Sequence, residues 1–232
     1  MLAIGHRGAA GHEPENTLRS VLRAVRLHVD WIEVDVQAVD GELIIFHDDT
    51  LDRTTNGSGA IAEQSFKALR SLDAGAGEKI PTLIEVLDLI GARTGLNIEL
   101  KGSGIVDAVT AVVTDYQERL PSWRGRILLS SFDEPQTQAL AAREGDYQLG
   151  ILFERDTEAA LARARDFEAY SIHPSMEQVN SELVTEAHAA GIKVLVYTVN
   201  EPEDIATMQA LCVDGVFSDY PDRVIALRPA RN

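Results

Sequence analysis

Residues 193–199, Lys193-Val194-Leu195-Val196-Tyr197-Thr198-Val199, lead through Asn200 and Glu201 into a helical pattern over 202–211 that opens on Pro202. Gly215-Val216-Phe217-Ser218 follow. A β-branched, almost continuously apolar run reads as a strand covered on both faces. Proline is tolerated in a first helical turn, where its missing N–H is not needed. Strand, helix and strand in this order make one βαβ unit, and the unit recurs along the chain.

Working outward, similar runs stand at 2–6, 31–37, 96–101, 126–131, 148–153 and 169–173. Apolar residues recur at three- and four-residue spacing over 17–28, 83–94, 105–119, 134–144, 157–165, 181–190, 202–211 and 222–227. Eight strands alternating with eight helices is the number of an α/β fold of the (β/α)8 TIM-barrel type. A doubly wound open sheet shows the same alternation without closure and is the second architecture the pattern allows. Thr82 with Glu85, and Ser131 with Glu134, have the spacing of a capping box.

One stretch breaks the rhythm. Val39-Asp40-Gly41-Glu42 predicts a hairpin leading to a further strand at 43–47. A polar, glycine-bearing segment over 48–81 follows, with a short helical piece near 63–72. It is long for a βα connection, and loops of that length are usually functional or disordered. We read one barrel domain over residues 1–232, with the excursion over about 38–81 lying across the mouth.

Composition narrows the classes. A chain of 232 residues buries a sufficient core without metal or disulfide staples. With 45% hydrophobic and 25% charged residues it is globular, not disordered or fibrous. Cys212 is the single cysteine, so no intrachain disulfide forms. The net charge of −16, from 21 basic and 37 acidic residues, argues against nucleic acid or an anionic membrane as the main partner. No apolar run approaches a membrane span, and Met1-Leu2-Ala3-Ile4-Gly5-His6-Arg7 does not resemble a secretory leader, so a cytoplasmic protein without membrane insertion is expected.

In a barrel, catalytic groups stand at the C-terminal strand ends. Those ends read His6-Arg7-Gly8, then Glu33 and Asp35, Glu99 and Lys101, Ser130-Ser131, His173, Thr198 and Asn200, and Ser218-Asp219, and no strand start has a comparable cluster. Residues two apart share a strand face, so Glu33 and Asp35 point one way, as do Glu99 and Lys101, while Ile32, Val34, Val36, Ile98 and Leu100 face the helices. Three carboxylates in one mouth repel one another unless a cation neutralises them. An all-oxygen set suits Mg²⁺ or Ca²⁺, and no Cys/His spacing supports zinc.

These residues, with Pro14-Glu15-Asn16-Thr17, His47-Asp48, the segment 51–59 beginning Leu51-Asp52-Arg53-Thr54-Thr55, Asn97-Ile98-Glu99-Leu100-Lys101, Val196-Tyr197-Thr198-Val199-Asn200 and Asp214-Gly215-Val216-Phe217-Ser218-Asp219, resemble the glycerophosphodiester phosphodiesterase family, short bacterial cytoplasmic type. The motifs run in family order from residue 6 to 221. The resemblance implies a TIM barrel that hydrolyses glycerophosphodiesters to glycerol 3-phosphate and an alcohol with a divalent metal, Mg²⁺ or Ca²⁺. It implies Glu33, Asp35 and Glu99 as metal ligands, His6 and His47 as the general acid/base pair, Arg7 and Lys101 as phosphate contacts, and Glu15 as a further active-site contact. Tyr197 stands where many members have tryptophan, which keeps an aromatic wall beside the site.

Other polar residues are read from position. His173, at a strand end, is a candidate substrate contact. Asn16 or Thr17 suits a helix N-cap, Thr198 and Asn200 are placed to cap the helix beginning at Pro202, Arg53-Thr54-Thr55 would brace the excursion, and Asp219 would orient a loop. Two other functions are compatible with the same polar mouth. One is a Schiff-base aldolase using Lys101, which would ignore chelators. The other is a non-catalytic barrel that binds glycerophosphodiesters. The expected partner is a small-molecule substrate, and the sequence leaves open an oligomer of identical chains.

Overall fold

The computed structural model describes residues 1–228; the last four residues of the expected barrel domain, 229–232, lie outside the described residues. In chain order the elements are β1 (Leu2–Gly5), α1 (Leu18–Arg26), β2 (Trp31–Val39), β3 (Glu42–Ile45), α2 (Phe66–Leu69), α3 (Leu83–Ile90), β4 (Gly95–Leu100) and α4 (Val106–Arg119). They continue with β5 (Ile127–Ser131), α5 (Glu134–Ala141), β6 (Gln148–Phe153), α6 (Thr157–Asp166), β7 (Ser171–Pro174), α7 (Ser181–Ala189), β8 (Lys193–Val196), α8 (Pro202–Ala210), β9 (Gly215–Ser218) and α9 (Pro221–Ala226).

Neighbouring strands run β1-β9-β8-β7-β6-β5-β4-β2, and β1 pairs in parallel with both β2 and β9. The parallel sheet therefore closes on itself, which excludes the open doubly wound alternative. Strand periodicity sorts the side chains as expected. Ile32, Val34, Val36, Ile98 and Leu100 join helix residues such as Val21, Leu87 and Val109 in the large core between barrel and helices. Ile4, Leu128, Leu195 and Phe217 pack inside the barrel with Trp31 and Tyr170. The carboxylates of β2 and β4 share that inner face, with Glu33 opposite Asn97 and Asp35 opposite Glu99.

The Asp-Gly signal makes the expected hairpin. Asp40 and Gly41 both have positive φ (52° and 80°), as a two-residue primed turn demands, and β3 pairs antiparallel with the distal half of β2 from Val36–Ile45 to Val39–Glu42. The excursion that follows has its own small core of Ile44, Phe46, Leu51, Ile61, Leu69 and Ile80. Helix starts differ in detail from their sequence signals. Thr82 and Glu85 form the reciprocal capping box. Before α5, however, Asp133 is the N-cap and accepts from the Gln136 N–H, while Ser131 Oγ accepts from the Asp133 N–H. The strand expected over 193–199 ends at Val196, although Tyr197 and Val199 beyond it still donate their N–H groups to the Pro174 and Phe217 carbonyls of the flanking β7 and β9.

Among the described residues, no helix is long and apolar enough to cross a membrane. Leu69→Ala should remove a fully buried side chain from the excursion core, at a cost of about 2–5 kcal/mol. Limited proteolysis is expected to cut within 48–81 faster, with the main thermal transition of the barrel changed much less.

Candidate active site

The first βα loop is bent by its own residues. Gly8 has φ +89°, and a Cβ there would lie 2.4 Å from Ser20 Oγ, so the loop sits directly on the start of α1. Ser20 Oγ donates to the Arg7 carbonyl (2.8 Å) and accepts from the Ala9 N–H (2.8 Å). Arg7 directs its backbone N–H to Glu33 Oε2 (2.8 Å) and its guanidinium to Glu15 (2.6 Å) and Asp35 (3.3 Å). Thr17 is the N-cap of α1, leaving Asn16 to donate from Nδ2 to Asp35 Oδ2 at 2.8 Å.

Glu33, Asp35 and Glu99 are 2%, 1% and 8% exposed. One carboxylate oxygen of each lies within 4.8 Å of the other two. Two oxygens on one ion at about 2.0–2.6 Å are at most about 5 Å apart, so the spacing fits a single hard cation. Electrostatics point the same way. Burial, with repulsion from Asp35 and Glu99 added, drives Glu33 well above the usual carboxylate range. Burial and Asp35 push Glu99 up to about 7 against the pull of Lys101. Glu33 Oε1 is buried without a hydrogen-bond partner among the described residues. Such a set is suited to hold a divalent ion, which would supply the missing positive charge.

Two histidines flank these acids, and each has its own aspartate. His6 Nδ1 lies 2.7 Å from Asp219 Oδ1. Asp219 is in turn fixed by Asn200, whose Nδ2 donates to Oδ2 (2.7 Å) and whose Oδ1 accepts from the Asp219 N–H (2.9 Å). Burial disfavours the Asp219 charge, but the His6 and Asn200 contacts prevail and hold its carboxyl below the usual range. His47, just beyond β3, has Nδ1 2.5 Å from Asp48 Oδ1. Arg53 bonds Asp48 through Nε (2.7 Å) and Nη2 (2.9 Å), and Glu15 through Nη1 (2.6 Å) and Nη2 (2.7 Å). The hydrogen bond from Arg53, with that from His47, overcomes partial burial and keeps Asp48 well below the usual range. Lys101 Nζ stands 3.0 Å from Glu99 and 3.3 Å from His47 Nε2. An ammonium only donates, so this contact puts the lone pair of His47 on Nε2.

His6, Arg7, Glu33, His47, Glu99 and Lys101 line one cavity of about 390 Å³, completed by Asn97, Phe132, Leu152, Glu154, Tyr197, Thr198 and Phe217. Tyr197 keeps an aromatic wall there, packed edge-on to Phe132 at 5.8 Å. Two candidate substrate contacts stand elsewhere. His173 is fully buried inside the barrel, bonded to Ser171 Oγ (2.8 Å), with burial lowering its pKa to about 3. It is absent from the cavity wall and packs against Phe217, which lines it. Glu15 is absent from the cavity wall, since both its oxygens are taken by Arg7 and Arg53. Asn200 holds Asp219 and does not cap α8, whose N-cap is Glu201. Sequence reasoning missed Asp48 and Asp219 as histidine partners and Asn97 on the cavity wall. The adjacency of Asp48 to His47 was a usable signal; the pairing of His6 with Asp219, 213 positions apart, had none.

Lys101 is also placed wrongly for Schiff-base chemistry. Burial works to lower its pKa, but Glu99 and Asp35 outweigh it and hold the ammonium charged, the reverse of an activated amine.

Comparison with known proteins bears on the same site. The profile of the Glycerophosphoryl diester phosphodiesterase family matches residues 6–223. A glycerophosphodiester phosphodiesterase of Caldanaerobacter subterraneus is 35% identical, with 97% of each chain covered. Among solved structures, an Oleispira antarctica phosphodiesterase in complex with the product sn-glycerol-3-phosphate superposes with a TM-score of 0.88, at 32% identity over 97% of this chain and 96% of that one. A glycerophosphodiester phosphodiesterase of Thermotoga maritima gives 0.81, at 26% identity over 98% and 99%.

The raised Glu99 pKa has a sign that can be measured. Between its ordinary value of 4.5 and about 7 the folded chain binds more protons than the unfolded one, so stability falls as pH rises through that window. In chelator, Glu99→Gln should melt above the parent at pH 8, by roughly 1–3 kcal/mol, and the difference should shrink toward pH 5.

Proposed function

This chain belongs to the glycerophosphoryl diester phosphodiesterase family and is a phosphoric diester hydrolase, and we propose that it cleaves glycerophosphodiesters to glycerol 3-phosphate and an alcohol by means of a histidine pair and one divalent ion. The observation that carries this reading is the joint presence, on one cavity, of two histidines with carboxylate-anchored Nδ1 atoms and a cluster of buried acids. The product complex of the Oleispira relative supports a small-molecule phosphodiester as substrate.

A phosphodiester is anionic and repels nucleophiles. Arg7 and Lys101 would offset the charge of its non-bridging oxygens as it redistributes in the transition state. We assign Glu33, Asp35 and Glu99 to a Mg²⁺ or Ca²⁺ ion, which when bound supplies Lewis-acid stabilisation of the same oxygens. With Nδ1 of each histidine directed at an aspartate, Nε2 is the atom that exchanges protons, and the aspartate stabilises the imidazolium whenever it forms. One histidine takes the proton of the nucleophilic hydroxyl as its oxygen bonds to phosphorus. The other donates a proton to the departing alkoxide as the opposite P–O bond breaks. The nucleophile is either water or the substrate's own glycerol 2-hydroxyl, the latter giving a cyclic phosphate that water then opens. We place the enzyme in the cytoplasm, in keeping with its single cysteine.

The test is release of glycerol 3-phosphate from several glycerophosphodiesters. His47→Ala should lower kcat by roughly 10²–10⁴ with circular dichroism unchanged; an unaltered rate removes His47 from the mechanism. Chelation should abolish turnover and Mg²⁺ or Ca²⁺ restore it, and full activity after exhaustive chelation would refute the metal assignment.

A further inference from the structure

The cavity wall divides along the order of the strands. His6, Arg7, Glu33, Glu99 and Lys101, assigned above to the phosphate, its ion and proton transfer, lie on or just beyond β1, β2 and β4. Those three strands are neighbours in the closed sheet. Phe132, Glu154 and Tyr197 lie just beyond β5, β6 and β8, on the remaining arc.

This second arc has a charge that the mechanism does not use. Glu33 accepts from the Arg7 N–H, and Glu99 accepts from Lys101. Glu154, the third acid on the wall, is exposed and makes no hydrogen bond or ion pair among the described residues. The Tyr197 hydroxyl donates to the carbonyl of Phe153, the residue before Glu154, at 2.9 Å. That bond fixes the ring near the carboxylate, and burial together with the Glu154 charge makes this phenol harder to deprotonate than an ordinary tyrosine. Phe132, itself exposed, packs against the same ring. Lys101 Nζ stands 5.6 Å from the centre of the Phe132 ring, so the aromatic pair begins where the phosphate contacts end.

An unpaired carboxylate beside aromatic rings attracts an ammonium group, the acid through its charge and the rings through the negative potential of their faces. The same arc repels a second anion. A neutral hydroxyl gains little there beyond what water already gives. We propose that Glu154, Phe132 and Tyr197 form the subsite for the departing alcohol and select phosphodiesters whose alcohol carries an ammonium group. The proposal rests on the functional reading above and deepens it, since it names Glu154 as the residue that sets alcohol preference.

The experiment compares kcat/KM for two glycerophosphodiesters with Mg²⁺ present. One is the choline ester; the other is its 3,3-dimethylbutyl isostere, which has the same shape and no charge. The parent should prefer the choline ester by roughly three- to tenfold. Glu154→Gln should bring the ratio close to unity, and Glu154→Lys should invert it. Glu158→Gln removes the same charge from the exposed first turn of α6 and should leave the ratio where it is. Raising the salt to about 1 M should shrink the parent's preference, because an exposed charge is screened; this arm needs no variant. Thermal melting verifies that each variant is folded. Turnover of both esters by the parent without preference overturns the subsite alone. So does a ratio unmoved by Glu154→Gln or by salt, and so does an equal loss on both esters in Glu154→Gln. If neither ester releases glycerol 3-phosphate, the glycerophosphodiester reading falls and the subsite with it.

Discussion

Three carboxylates are forced together out of water on two adjacent strands, and most of the site is arranged around their repulsion. The pairing of β2 with β4 sets Asp35 beside Glu99 and Glu33 one step deeper. In a medium of low effective dielectric, like charges at such separations cannot all persist without compensation. The chain's own compensation is partial. Arg7 reaches Asp35 and Glu33, Asn16 reaches Asp35, and Lys101 reaches Glu99. Glu33 and Glu99 still hold their protons more tightly than ordinary carboxyls. The residual deficit of positive charge is what makes the cluster suitable for a divalent ion.

The same cations connect the acids to the histidines. Arg7 joins Asp35 to Glu15, Glu15 joins Arg7 to Arg53, and Arg53 joins Glu15 to Asp48, which directs His47. Lys101 completes the circuit between Glu99 and His47. The excursion between β3 and α3 is thereby tied to the barrel by charge-assisted hydrogen bonds as well as by its small apolar core. His6 is held by Asp219 and Asn200, which follow β9 and β8. Each imidazole is thus oriented by a separate loop, as the proposed division into an acid and a base requires.

Much of this was legible along the chain. Strand and helix periods, and polar residues gathered at the C-terminal ends of seven of the eight expected strands, predict a barrel and the location of its mouth. Glu33, Asp35, Glu99 and Lys101 follow from two-residue alternation alone. The Asp40-Gly41 turn predicts the hairpin that brings His47 to the mouth. Position at a strand end was a poorer guide where depth mattered. His173 occupies such an end but is sealed inside the barrel, and Asn200 has the composition of a cap but serves Asp219. Local chemistry allowed both readings, and contacts with residues distant in sequence decided between them.

By itself, then, the sequence determined which residues alternate, which faces are apolar and which strand ends carry charge, because these depend on neighbours one to four positions apart. It also carried the family motifs that name the acids and imidazoles. Only the tertiary structure decided that the sheet closes, that His6 meets Asp219, and that Arg53 spans Glu15 and Asp48. The first two depend on barrel closure, which brings the first strand against the last and turns a separation of 213 residues into a hydrogen-bond distance, and the third on the excursion packing beside the first loop.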